Sequence, residues 1–310
     1  MSEFKIAIIG IGGVGGFVGG KLAARFVDSD DAEIVLVARG ENEKVIRKNG
    51  LKIISTKGEE IVRPKLSAIE NISDADLIIL CTKEYDLENT VSSFKNFIGE
   101  KTSVLPLLNG VDITERIKKV LPETDVWKGC IYIVSRLAEP GVISETGNIC
   151  LIYFGDESAA TDKQIQTENI FRAAGIDAEA SADIEAKTWE KFVFISSLAA
   201  ATSYLNASIG EILADENHKK LFDALVAEIK QFAKAKKINI SEEAIQQKFD
   251  KLSSLPFEAT SSMHTDFAKG NRAEIESLVG YVVKKARDLG VSAPTYEKIY
   301  DELEKKSAGE

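Results

Sequence analysis

Hydrophobic positions follow two different textures along the chain. Up to about residue 180, short apolar runs alternate with amphipathic stretches. The runs are IAIIG (6–10), EIVLVA (33–38), LIILCT (77–82), SVLPLL (103–108), GCIYIVS (129–135) and ICLIYFG (149–155). Several are continuous rather than alternating, as expected of strands covered on both faces. Between them the pattern predicts helices over 15–27, 87–97, 113–120 and 163–174. Asp112 with Glu115, and Thr161 with Gln164, stand at capping-box spacing before the last two. Strand alternating with helix predicts a parallel sheet. Residues 130–155 differ. They read as successive strands broken at Glu139-Pro140-Gly141 and Thr146-Gly147-Asn148, which predicts antiparallel additions at a sheet edge.

After Ser181 the strand signal almost vanishes. Helical patterns follow over 183–205, 217–236, 242–252, 259–269, 273–289 and 295–305. Gly270 and Gly290 stand where C-terminal caps belong, and Pro294 stands at the start of the last helix. A frayed tail is expected over 305–310. The predicted organisation is an α/β domain over residues 1–181 followed by an all-helical domain over 182–310.

Composition narrows the function classes. The chain has 310 residues, 44% of them hydrophobic, enough for more than one core. Its 39 basic and 49 acidic residues give a net charge of −10. Such a field disfavours nucleic acid and anionic membrane surfaces as partners. Cys81, Cys130 and Cys150 are odd in number and widely spaced, with neither metal-type spacing nor a disulfide framework. A reducing cytoplasm is the expected location. No signal peptide and no bilayer-spanning stretch is read, and no metal site is expected.

The first apolar run leads into Gly10-Ile11-Gly12-Gly13-Val14-Gly15, which matches G-x-G-x-x-G. Gly10 permits a tight turn, Gly12 lets a pyrophosphate approach the backbone, and Gly15 lets the helix pack close to the strand. The motif follows a strand and opens a helix, the context that a dinucleotide site requires. This makes the first domain a Rossmann-type, doubly wound, mostly parallel sheet. The second strand ends in Val37-Ala38-Arg39-Gly40. An acid there would hold the ribose hydroxyls of NAD, whereas an arginine attracts a 2′-phosphate. The expectation is NADP(H) with Arg39 on the 2′-phosphate. A solvated surface arginine is the alternative.

Lys83 and Asn109 each follow a strand directly, at the strand ends where open α/β sheets bind ligands. A helix-start cation and a left-handed turn residue before Gly110 are the plainer readings. In the helical half, Trp189-Glu190-Lys191 opens the apolar stretch FVFISSLAAATSYL. Lys191 is either a snorkelling surface residue or a buried group able to protonate a carbonyl oxygen. Ser262 and Glu274 lie on successive predicted helices and are able to reach one site. His218 reads as a surface residue and His264 as core or surface.

These motifs in this order resemble the ketopantoate reductase (2-dehydropantoate 2-reductase) family. The resemblance spans nearly the whole chain. It rests on Gly10–Gly15, Arg39, Cys81-Thr82-Lys83, Leu108-Asn109-Gly110, Trp189-Glu190-Lys191, Gly210-Glu211-Ile212, Ser261-Ser262-Met263 and Arg272-Ala273-Glu274-Ile275. It implies NADPH-dependent reduction of a 2-oxo acid, ketopantoate to pantoate in pantothenate biosynthesis. It further implies Lys191 as the catalytic lysine and Glu274 on the substrate hydroxyl. Lys83 and Asn109 would lie near nicotinamide and substrate, and Ser262 would contact the substrate carboxylate.

The chain departs from the family at four positions. Ile195, Ala199, Ile209 and Ala259 stand where members with pantoate chemistry carry asparagines. Each lost partner costs a polar substrate about 1–3 kcal/mol. Ketopantoate is then expected to be a poor substrate unless Ser196, Ser197, Thr202 or Ser203 substitutes. The alternatives are a reductase of a less polar 2-oxo acid, a dehydrogenase of a sugar acid or polyol phosphate held by Lys187, Lys269 and Arg272, or a non-catalytic NADP(H) sensor. Apolar stretches at 209–213 and 275–283 suggest a homodimer.

Overall fold

The computed structural model describes residues 3–250, Leu252 and 255–308. Gly309 and Glu310 of the predicted tail, and Lys251 of the helix predicted over 242–252, lie outside the described residues. The chain forms two compact units. One comprises Met1–Leu108 with Asp112–Ile184, the other Asn109–Val111 with Glu185–Glu310.

The first unit runs β1 (Phe4–Ile9), α1 (Gly13–Phe26), β2 (Ala32–Val37), α2 (Gly40–Asn49), β3 (Leu51–Ser55), β4 (Gly58–Val62), β5 (Lys65–Leu66) and β6 (Leu77–Leu80). It continues through α3 (Leu87–Phe94), β7 (Ser103–Pro106), α4 (Ile113–Val120), β8 (Asp125–Val126), β9 (Lys128–Glu139), β10 (Val142–Gly155), α5 (Asp162–Ala173) and β11 (Asp177–Ala180). Six strands form a sheet in the order β5-β2-β1-β6-β7-β8, with every neighbouring pair parallel.

Alternation along β1 explains the two covered faces. Ile6 and Ile8 enter a core with Val18 and Leu22 of α1, while Ala7 and Ile9 enter another with Val91, Phe94 and Ile117 of α3 and α4. β6 does the same, Leu77 and Ile79 on one side and Ile78 and Leu80 on the other. Burial on both sides is why these strands read as continuous apolar runs. Each buried isoleucine contributes about 1.5–3 kcal/mol of transfer free energy.

Residues 130–155 correct one expectation. β9 and β10 are antiparallel, turning at Pro140-Gly141, but they do not extend the edge of the parallel sheet. They build a second sheet ordered β11-β10-β3-β4, with β9 paired to β10. Thr146-Gly147-Asn148 does not end the strand. It is absorbed as a register irregularity between Glu145 and Cys150, with Asn148 at φ 47°. The Asp112 capping box is also absent. Asp112 precedes α4, but its side chain makes no cap bond. Arg116, one turn on, stands 4.0 Å from its carboxylate instead, and burial pushes the Asp112 carboxyl up. The Thr161–Gln164 box caps α5 as expected.

The second unit contains α6 (Ile184–Leu205), α7 (Ile209–Ala214), α8 (Glu216–Ala235), α9 (Glu242–Asp250), α10 (Ser262–Ala268), α11 (Tyr281–Asp288) and α12 (Pro294–Ala308). Ile184 itself clusters with the first unit. The helix predicted over 273–289 begins instead as a π-helical turn, Glu276–Gly280, before α11. Gly270 and Gly290 take φ 68° and 67°, the left-handed caps that stop α10 and α11. Trp189 packs on Phe192, Phe232 and Tyr281 at ring separations of 5.5–6.5 Å. The stretches held to suggest a dimer face are spent here. Ile209, Ile212, Ile275, Leu278, Val279 and Val282 are buried in this unit's own core.

Candidate active site

The glycine turn between β1 and α1 divides its labour by contact. Gly10 has φ 94°, and a Cβ there would stand 2.8–2.9 Å from backbone atoms of Cys81 and Thr82. A Cβ on Gly15 would stand 2.2 Å from the Gly10 carbonyl oxygen and 2.9 Å from the Cys81 Cβ. These two glycines close the strand–helix junction. Gly12 differs, because nothing lies within 4 Å of where its Cβ would be. It is the N-cap of α1, makes no side-chain cap bond, and is followed by no acid in the first turn. Open space, bare backbone and uncapped helical N–H groups are what a diphosphate needs. The loop therefore fits the dinucleotide expected from sequence, through Gly10, Ile11, Gly12, Gly13, Val14 and Gly15. Gly13 has a further reason to be glycine: its Cβ would stand 2.5 Å from the Ser135 carbonyl oxygen of β9.

Arg39 is the N-cap of α2, just beyond the end of β2. Its side chain is 85% exposed and meets Asp86 at 3.2 Å. An exposed pair of this kind is weak, so the guanidinium remains able to take an anionic ligand. Lys83 lies beyond β6 and caps a short 3₁₀ turn at Glu84–Asp86. That turn is tied down by Arg116. It donates to the buried Glu84 carboxylate at 3.0 Å, to the Glu84 carbonyl at 3.0 Å, and to both oxygens of Glu88 at 2.7 and 2.9 Å. The pairing holds the Glu88 carboxyl below its usual range. Burial pushes the Cys81 thiol well up, so this cysteine beside the glycine turn is not a thiolate.

In the second unit Lys191 is buried, on the first third of α6. Its Nζ donates to Oδ1 of Asn109 at 2.9 Å. Asn109 follows β7 in sequence but clusters with this unit. It is not left-handed; Gly110, at φ 113°, takes that conformation. The neighbouring Glu190 is buried too, accepting from Lys248 Nζ at 3.2 Å and from the Ser241 N–H at 3.3 Å. Glu274 is buried immediately before the π-helical turn. Ser262 is the first residue of α10 and exposed; the N-cap is Ser261, which accepts from the His264 N–H.

Three of the four hydroxyls expected to replace the missing amides are bonded elsewhere. Ser196 Oγ donates to the Leu278 carbonyl at 2.5 Å and lies 2.8 Å from the Tyr296 hydroxyl. Ser197 lies 3.4 Å from the same hydroxyl, and Thr202 lies 2.7 Å from Ser261 Oγ. Ser203 Oγ is buried without a partner. Ala199 and Ile209 are buried, and Ile195 and Ala259 are partly buried against the same core. Sequence reasoning missed Asn42, whose amide bonds Ile11 and Gly141. It also missed the role of His264, which joins Thr260 to Asn206. Among the described residues no His, Cys, Asp or Glu cluster is arranged to hold a metal ion, and the three cysteines form no disulfide. No described helix is long and apolar enough to cross a membrane.

The first unit is a parallel α/β sheet with a G-x-G-x-x-G turn, and the second is helical with a buried lysine. Comparison with known proteins gives the family. Residues 6–158 match the model of ketopantoate reductase PanE/ApbA, and residues 183–307 match that of its C-terminal domain. The chain belongs to the ketopantoate reductase family. It is 35% identical to a crystallised 2-dehydropantoate 2-reductase from Porphyromonas gingivalis W83, over 97% of this chain and 99% of that one, with a TM-score of 0.84. It is 27% identical to the uncharacterized oxidoreductase YkpB of Bacillus subtilis, over 97% and 98% of the two chains. The fold, at 22% identity and a TM-score of 0.87, is also that of D-mandelate dehydrogenase solved with NADH and anilino(oxo)acetate, over 99% of each chain.

Proposed function

We propose that this protein reduces a 2-oxo acid to its 2-hydroxy acid with NADPH. The observation that carries the reading is the buried Lys191, held through Nζ by Asn109 at 2.9 Å. A lysine kept out of water at the head of a long apolar stretch has a role beyond solvation. Gly10, Ile11, Gly12, Gly13, Val14 and Gly15 hold the diphosphate and Arg39 the 2′-phosphate. When bound, the reduced nicotinamide supplies a hydride to the keto carbon. Lys191, as the ammonium, gives its proton to the ketone oxygen, which becomes the product hydroxyl. Asn109 fixes the direction of the Lys191 Nζ. Glu274 accepts from the hydroxyl and favours the charged lysine. Ser262 and Lys83 serve the substrate carboxylate and the nicotinamide end.

The experiment is Lys191→Ala. Turnover falls by about three orders of magnitude or more, while the NADPH dissociation constant stays within about twofold of the wild type. Retained turnover removes Lys191 from the mechanism. NADPH binding without oxidation by any 2-oxo acid in the wild type marks a sensor instead.

A second reading concerns the substrate. The apolar Ile195, Ala199, Ile209 and Ala259, with Ser196, Ser197 and Thr202 bonded within the core, favour an acid with an apolar side chain over ketopantoate. A kcat/KM panel of branched and unbranched 2-oxo acids decides it.

A further inference from the structure

We propose that Asn42 is the positioning residue of the diphosphate loop: by holding the Ile11 carbonyl, it aims the Gly12 N–H. The proposal rests on the reading that this loop binds a dinucleotide.

Asn42 is the third residue of α2 and half-buried. A side chain at that place commonly folds back onto its own helix start. This one reaches two distant backbones. Its Nδ2 donates to the Ile11 carbonyl at 2.7 Å, and its Oδ1 accepts from the Gly141 N–H at 2.7 Å. One partner only accepts and the other only donates, so the amide has a single satisfied orientation.

Gly141 is itself a firm anchor. It sits in the β9–β10 turn at φ 77°, and a Cβ there would stand 2.5 Å from Val45 Cγ1 of α2. Its carbonyl accepts from the Lys52 N–H of β3 at 2.8 Å. The turn therefore fixes Oδ1, and the planar amide then fixes the direction of Nδ2. On the other side of the loop, Gly13 rests against the Ser135 and Arg136 backbone of β9. Gly12 stands between the two restraints, with open space at its Cα.

The consequence follows from peptide planarity. The Ile11 carbonyl and the Gly12 N–H belong to one peptide group and point in opposite directions. A donor on the carbonyl thus sets where the N–H points. It also polarises the amide, which strengthens that N–H as a donor. Without Asn42 the peptide is able to rotate, and part of the preorganisation for the phosphates is lost.

The test measures binding rather than turnover. Dissociation constants for NADPH, NADH and adenosine 2′-monophosphate are determined by fluorescence or calorimetry for the wild type, Asn42→Ala and Asn42→Asp. Asn42→Ala weakens NADPH and NADH by the same factor, about tenfold, the worth of one net hydrogen bond. The preference between the two nucleotides does not change. Adenosine 2′-monophosphate, which has neither bridging phosphate, binds within about twofold of the wild type. Amides 10–14 of the apoprotein exchange hydrogen faster in both variants. Asn42→Asp keeps the acceptor for Gly141 and loses the donor for Ile11, so it weakens binding at least as much. It also decides the matter if Asn42→Ala does not fold.

Wild-type affinity for both nucleotides in either folded variant overturns the proposal. So does a loss confined to NADPH, which would act through Arg39. A wild type that binds neither nucleotide instead overturns the reading of the loop.

Discussion

Lys191 Nζ donates to Asn109 Oδ1 at 2.9 Å, across 82 positions of sequence. The lysine is 7% exposed, so the amide oxygen is a fixed dipole beside a group that water hardly reaches. Asn109→Asp places an anion there, which favours the ammonium and raises the lysine pKa. The alkaline limb of the kcat/KM profile then moves to higher pH by about one unit. Asn109→Ala leaves Nζ less directed and lowers kcat by about tenfold. An alkaline limb unmoved in Asn109→Asp would mean that this contact does not govern the titration.

Gly12 and Gly15 answer differently to the same substitution. Gly15→Ala forces a methyl to within 2.2 Å of the Gly10 carbonyl oxygen, so the strand–helix junction must open. Overpacking of that kind costs about 1–3 kcal/mol, read as a lower urea midpoint. An alanine Cβ at Gly12 meets nothing within 4 Å, and the negative φ of −92° needs no left-handed backbone. The stability of Gly12→Ala stays within about 0.5 kcal/mol of the wild type. Its NADPH affinity falls by about tenfold or more, because the methyl stands where the phosphates approach. Equal affinity in folded Gly12→Ala would sink the phosphate assignment.

His264 makes part of the stability depend on pH. Its Nδ1 lies 2.6 Å from the Thr260 hydroxyl, and its Nε2 lies 3.0 Å from Asn206 Oδ1. An amide oxygen only accepts, so Nε2 carries the proton and Nδ1 accepts from threonine. The ring is neutral in this arrangement. Burial holds its pKa below the ordinary 6.5; Lys306 lowers it further, and Glu211 acts in the opposite sense. As pH falls below 6.5 the unfolded chain protonates first, so the folded state loses stability until its own imidazole charges. The stability present above pH 6.5 is thus withdrawn on acidification. Urea midpoints of the wild type and His264→Gln, taken from about pH 7.5 to about pH 5, diverge at the high end and converge at the low end. A constant difference across that range refutes the assignment.

Much of this fold is written in local pattern. The parallel strands are apolar throughout because both faces are covered, and the Gly10–Gly15 spacing marks the junction that they feed. The second sheet is harder to read. β4 is GEEIV, largely exposed, and α2 is GENEKVIRKN, with Ile46 its only fully buried residue. Neither has an apolar period strong enough to announce itself. Asp112 shows how a correct spacing fails, since its backbone is helical, φ −103° and ψ 0°, rather than the extended form a capping residue takes. Lys191 and Glu274 stood out by resemblance, but burial and the Asn109 contact are tertiary facts. Asn42 lay hidden for the same reason. Its partners are 31 and 99 positions away, and it sits among charged residues that read as a solvated helix face.

The tripeptide Asn109–Val111 clusters with the helices although it is embedded in the α/β half of the sequence. Severing the chain at residue 184 would therefore not yield two self-sufficient pieces. The C-terminal fragment would keep its lysine and forfeit the amide that greets it, and co-expressing the halves would be the way to reunite them.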